Sequence, residues 1–170
     1  MGSSAQPGIS LLLLARGDTD GAFASIGAAL SGVPVSDPLA RAVLLQARVV
    51  VALAAGDLES AGVAAAELDG VAERFGASAL RAAAAAAIGV VELSRGQPTR
   101  ALASWRAALK GWGEVGAPYE SACARAGVAQ ALLALGDRGG AVMELEVARA
   151  TFDRLGALPD LTAVADWLEA

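Results

Sequence analysis

Apolar residues recur along this chain at the three-and-four spacing of amphipathic helices, and glycine-centred breaks divide them at regular intervals. The segments between breaks predict helices at about 8–16, 18–30, 38–55, 57–75, 78–95, 97–114, 118–135, 137–155 and 159–169. Residues 1–7 carry no such pattern and are expected to be a disordered N-terminal segment, with residues 8–170 forming a single array. The breaks themselves repeat. Gly17, Gly56, Gly96 and Gly136 stand 39, 40 and 40 residues apart, and Ala22, Ala61, Ala101 and Ala141 each follow five positions later. A fixed period of this size marks stacked helical hairpins, none of which can bury its apolar face alone. The pattern therefore predicts an all-α solenoid with a period of ~40 residues.

Local signals agree with that division. Asp18, Asp37, Asp57 and Asp137 sit where a helix begins, and a carboxylate there can accept from the orphan amides of the first turn. Pro38, Pro98 and Pro118 fall in first turns, where the missing amide hydrogen is not needed. Gly76, Gly116 and Gly156 fall where a helix wants a left-handed terminal residue. The segment Ser31–Asp37 is turn-rich and makes the first repeat degenerate, as expected of a terminal cap; the helix at 159–169 reads as half of a further repeat. The first helix of each pair is the more apolar, and Ala79–Leu93 is apolar around nearly its whole circumference, so it must be covered on several sides. The second helices carry the charge: Glu59, Glu67, Asp69 and Glu73; then Arg100, Arg106 and Lys110; then Glu144, Glu146 and Arg149. They are expected to form a solvated convex face.

Composition narrows the chemistry. Hydrophobic residues make up 55% and aromatics only 4%, a balance that suits close-packed alanine-rich helices rather than strands. A net charge of −5 with a single lysine argues against binding a phosphate backbone or an anionic membrane. The longest apolar run, Ala82–Val91, is about half of a bilayer span. One cysteine rules out an internal disulfide framework and points to a reducing, cytoplasmic setting. The chain has no histidine, which removes histidine acid–base catalysis, Ser–His and Cys–His nucleophiles and histidine metal sites.

The remaining motifs read more simply as structure. Gly111-Trp-Gly-Glu-Val-Gly116 matches the dinucleotide fingerprint, but a helix precedes it and Pro118 follows, whereas the pyrophosphate loop needs a strand before it. Cys123, among Ala122, Ala124 and Ala126, reads as a small buried thiol, with Arg125 as the nearest cation in sequence. Glu144 and Glu146 are two apart on a helix and diverge, so they do not form an acid–base pair. Trp105 and Trp112 share a helix face with Ala101 and Ala108 and read as core; the alternative places Trp112 in a ligand pocket, while Trp167 is expected to be partly exposed. No catalytic, cofactor-binding or metal-ligating residue is assigned.

The glycine break, the alanine five on, a large residue (Ile26, Trp105, Leu145) and then a small one (Ala29, Ala108, Ala148) together resemble the tetratricopeptide repeat, with Ala65 and Leu68 departing from it. The stretch GAPYESACARAGVAQALLALGD and AVMELEVARATFDRLGALPD is similar to the C-terminal repeat region of large actinobacterial LuxR-type transcriptional regulators. The resemblance is closest over Ser94–Leu161. It implies a right-handed α-solenoid and a sensor array whose helix-turn-helix DNA-binding domain would follow Ala170. It also implies that first helices line a concave groove, formed by Val43, Gln46, Val50 and Leu53; by Ala83, Ala86, Val90 and Leu93; and by Cys123, Ala126, Gln130 and Leu133. That surface is apolar, with Gln46 and Gln130 as polar handles, and suits a hydrophobic small effector, an amphipathic helix of a protein partner, or a second copy of the chain; closure of the superhelix would instead bury it as core. The expected function is non-catalytic sensing or protein interaction within a bacterial transcriptional regulator, with a free-standing scaffold as the alternative, and no direct nucleic-acid or membrane contact.

Overall fold

A computed structural model describes residues 5–169, apart from the side chain of Glu169. Residues 1–4 of the N-terminal segment expected to be disordered lie outside the described residues; over the rest of it, the Gln6 side chain donates to Ser25 Oγ at 2.6 Å and accepts from Ser10 Oγ at 2.7 Å. The described residues are all-α, with no strand: α1 (Gly8–Ala15), α2 (Thr19–Gly32), α3 (Pro38–Ala54), α4 (Leu58–Phe75), α5 (Ser78–Ser94), α6 (Pro98–Glu114), α7 (Pro118–Ala134), α8 (Arg138–Leu155) and α9 (Leu158–Glu169). None of these helices is long and apolar enough to cross a membrane.

The ends of the helices follow from their residues. Gly17, Gly56, Gly76, Gly96, Gly116, Gly136 and Gly156 all have φ between 65° and 82°, and no other described residue has positive φ. A Cβ would be strained in that conformation, which is why glycine stands at each break. Asp18, Asp37, Asp57 and Asp137 accept from the amides of Gly21, Ala40, Ser60 and Gly140 at 2.9–3.1 Å. The starts of α5, α6 and α7 carry no side-chain cap; at α6 the place of the aspartate is taken by Gln97.

The chain divides into two compact units, Met1–Gly76 and Ala77–Ala170. In the first, α1, α2 and α3 pack on one another and α4 packs on α3. Its core joins Ala22 and Ile26 of α2 to Leu44, Ala47 and Val51 of α3. Two arginines fasten it. Arg41 of α3 donates to the carbonyls of Leu30 and Val33, satisfying the C-terminal end of α2, and pairs with Glu67 of α4 at 2.6 Å. The bond to Glu67 raises the Arg41 pKa. Arg48 donates to the Phe23 carbonyl and lies 3.6 Å from the centre of the Phe23 ring, a stacked cation on an aromatic face.

In the second unit each helix packs on the next, from α5 to α9, and α5 also meets α7. Its core is built from Ala122, Val128, Ala129 and Leu132 of α7, Ala141, Leu145, Ala148 and Phe152 of α8, and Val164 of α9. Contact is close because the residues are small: a Cβ added at Gly111 of α6 would lie 2.8 Å from the Cβ of Ala82 on α5. Arg125 of α7 and Glu144 of α8 form an ion pair at 2.6 Å.

Ala22, Ala61, Ala101 and Ala141, the small residues five positions after each turn glycine, are all fully buried. The departure at Ala65 and Leu68 also has a physical account. Both are buried, as are Leu145 and Ala148 at the equivalent places in α8, so α4 exchanges the large and small members of the pair and keeps their summed volume.

Gln97→Asp should supply α6 with the cap its counterparts have and raise stability by about 1 kcal/mol, while Asp137→Ala should lower it by a similar amount. Urea unfolding followed by circular dichroism measures both.

Candidate functional site

The anticipated groove residues fall into different environments. In the first unit Val43 and Val50 are about half exposed, Gln46 is exposed and Leu53 is half-buried. In the second, Ala83 and Ala126 are buried, Ala86, Val90, Leu93, Cys123 and Gln130 are half-buried, and Leu133 is exposed. Four of them, Val90, Cys123, Ala126 and Gln130, line one cleft of about 250 Å³ within the second unit. Ala83, Ala86, Leu93 and Leu133 do not.

Each wall of the cleft follows from helical spacing. Cys123, Ala126, Gly127 and Gln130 form one stripe of α7, at steps of three and four. Asp160, Ala163, Val164 and Trp167 form the facing stripe of α9, with the same steps. Val90 of α5, Trp105 of α6 and Phe152 of α8 complete the lining. The second unit thus gathers three aromatic side chains, one carboxylate, the Gln130 amide and the Cys123 thiol around a space otherwise lined by apolar residues. Tyr119 adds a fourth ring beside it, edge-on to Phe152 at 5.8 Å between centroids, and donates its hydroxyl to Asp160 Oδ2 at 3.2 Å, tying α9 to α7.

Trp105 occupies its place because two glycines make room for it. The pyrrole edge of its indole lies against Gly89 of α5, where an added Cβ would stand 3.0 Å from Cδ1, Cε2 and Nε1. On the other side an added Cβ at Gly127 of α7 would collide with Cδ2, Cε2 and Cε3. Trp105 Nε1 is buried without a hydrogen-bond partner, a desolvation cost of about 1–3 kcal/mol that burial of the ring must offset. Its solvent-inaccessible N–H leaves the exposed part of the indole, an apolar surface, to face the cleft.

Cys123 is half-buried rather than fully buried. Burial pushes its thiol pKa up to about 11, Asp160 and Glu120 push the same way, and a hydrogen bond with Tyr119 pulls against them. Burial also raises the Tyr119 pKa, with Cys123 and Asp160 adding to the effect. A thiol held protonated is a poor nucleophile. Among the described residues no group of three or more His, Cys, Asp or Glu side chains could hold a metal ion.

A second cleft, of about 320 Å³, lies in the first unit among Leu45, Arg48, Asp57, Ser60, Val63 and Glu67. Glu59 also lines it, and most of its other polar groups are already engaged. Arg48 serves the Phe23 carbonyl and ring, Glu67 serves Arg41, and Asp57 caps α4. Burial lowers the Arg48 pKa, with Asp57 opposing, and the Ser60 hydrogen bonds lower that of Asp57. The cleft of the second unit is therefore the better candidate. Trp105 and Trp167 line it and Trp112 does not. The α9 wall was missed from the sequence, although the 160, 163, 164 and 167 spacing of one acid and three apolar residues carried the signal.

Gly127→Ala should cost about 1–3 kcal/mol through its collision with the indole, and the loss should shrink when combined with Trp105→Leu; a double-mutant cycle by urea unfolding measures the coupling. For Cys123, the alkylation rate should keep climbing above pH 9.0 in the folded chain and level near that value in urea. Because the folded pKa is the higher, the unfolded chain loses this proton first, and stability should fall as pH rises from 9.0 to about 11. Cys123→Ser should flatten that fall. No protein-family model matches the chain, and no curated protein matches it at a significant level.

Proposed function

We propose that this chain is a non-catalytic sensing and interaction module built of tetratricopeptide-like repeats, of the kind that forms the sensor array of a bacterial LuxR-type transcriptional regulator, and that it binds a small, mainly apolar effector between α7 and α9. The observation that carries the reading is the cleft of the second unit, where Val90, Cys123, Ala126 and Gln130 meet Trp105, Phe152 and Trp167. Its residues offer contact and little reactivity: the thiol is held protonated, and Asp160 is the only carboxylate among the described residues of the lining. The repeat register, the aspartate caps and the resemblance over Ser94–Leu161 support the family-level part of the proposal.

An effector placed there touches α9 on one side and the array on the other. It signals if it binds one spacing of α9 from α7 more tightly than another, and its differential affinity sets the size of the response. The Tyr119–Asp160 bond is the contact such a ligand would strengthen or displace. The second reading, a free-standing scaffold joining two proteins, is favoured by Met143 and Val147, exposed one turn apart on the outside of α8 where a partner helix could cover them.

The test is to titrate the whole chain with small neutral apolar probes such as cyclohexanol, following tryptophan fluorescence and amide chemical shifts. Saturable binding should shift the signals of the cleft residues. Ala163→Phe, at an exposed position on the cleft wall, should weaken it at least tenfold without loss of helicity. Binding that is indifferent to Ala163→Phe removes the cleft from consideration.

A further inference from the structure

The lining of the second unit's cleft is selective in its charge. Among the described residues Asp160 is its only charged one, and no lysine or arginine contributes to it. The nearest basic residue on α7, Arg125, is engaged with Glu144. Aromatics are concentrated beside that carboxylate. The whole chain has three tryptophans, one tyrosine and three phenylalanines. Two of the tryptophans and one phenylalanine line the cleft, and the only tyrosine hydrogen-bonds its carboxylate. Phe152 lies within the core of the unit and Trp105 and Trp167 pack against it, so these rings both fill that core and bound the cleft.

Aromatic surface beside a carboxylate that meets no basic side chain among the described lining residues attracts a cation that is weakly hydrated and has an apolar surface. An inorganic cation fits poorly. Calcium and magnesium need six or more oxygen ligands, and the lining supplies the Asp160 carboxylate and the Gln130 amide. An anionic effector would meet Asp160 with like charge. A volume of about 250 Å³ lies just below the range of drug-sized pockets and restricts the ligand to a small head group. Resting on the reading of this cleft as an effector site, we infer that its ligand is a small organic cation, an alkylated ammonium whose methyl groups lie against Trp167 and the exposed part of Trp105 and whose charge faces Asp160.

Calorimetric titration of the full chain with choline and with its neutral isostere 3,3-dimethylbutan-1-ol tests the inference. Choline should bind at least tenfold more tightly than the alcohol. Asp160→Asn keeps an oxygen for the Tyr119 hydroxyl and should bring choline down to the level of the alcohol while leaving the alcohol unchanged. Trp167→Leu should weaken choline more than the alcohol, with circular dichroism confirming that both variants fold. Equal affinity for the two compounds, or choline binding untouched by both substitutions, overturns the cation assignment and leaves the apolar cleft standing. Failure of both compounds to bind at millimolar concentration, when cyclohexanol binds, likewise overturns the cation alone; failure of all three overturns the cleft as well.

Discussion

Alanine and glycine at the crossing points let helix backbones approach closely, and that close approach governs the rest of this structure. Ala82 facing Gly111 leaves no room for a methyl group between α5 and α6. Ala101, Ala108, Ala141 and Ala148 are wholly enclosed. A small residue at such a contact contributes little transfer free energy of its own, about 0.8 kcal/mol per buried methylene-sized group, so many contacts are needed to hold the chain. Polar ties supplement them. Arg41, Arg48 and Arg125 each reach from one helix to a carbonyl, ring or carboxylate of another. The Arg41 and Arg125 side chains remain 14% and 33% exposed, and their carboxylate partners are about a third exposed, so the value of these pairs lies more in fixing how neighbouring helices meet than in raw stabilisation.

Bulky side chains become consequential against that background. Trp105 is accommodated between α5 and α7 only because Gly89 and Gly127 lack side chains. Both glycines lie inside helices, where glycine costs about 1 kcal/mol relative to alanine, so their presence is explained by the ring and not by the helix. The indole in turn forms part of a cleft that α9 walls on its far side. One packing decision thus links helix interiors, an unusual tertiary contact and the candidate site.

The environment also separates chemistry from binding. Cys123 faces the cleft with a protonated thiol, because burial and two neighbouring carboxylates disfavour its charged form. Asp160 stands at the first turn of α9, where the helix dipole favours a negative charge, and keeps its carboxylate toward aromatic rings. Under the proposed reading, a ligand here would be held by shape and charge and reported through the helix that forms the wall.

Much of the local structure could be read from the chain alone. The helix breaks at Gly17, Gly56, Gly76, Gly96, Gly116, Gly136 and Gly156, the aspartate caps and the all-α class depend on residues within about five positions of one another, and such short-range constraints are written in consecutive letters. Ala22, Ala61, Ala101 and Ala141, picked out in the sequence by their regular spacing, are all buried. The cleft was only half visible. Val90, Cys123, Ala126 and Gln130 could be placed on helix faces in advance, but Ala83 and Leu133 could not be told apart from them, since helical spacing says which residues share a face and not how far the next helix stands away. Convergence of residues 90, 105, 123, 152, 160 and 167 was decided by tertiary packing, in which helix separation is set by the side-chain volumes that meet at each crossing.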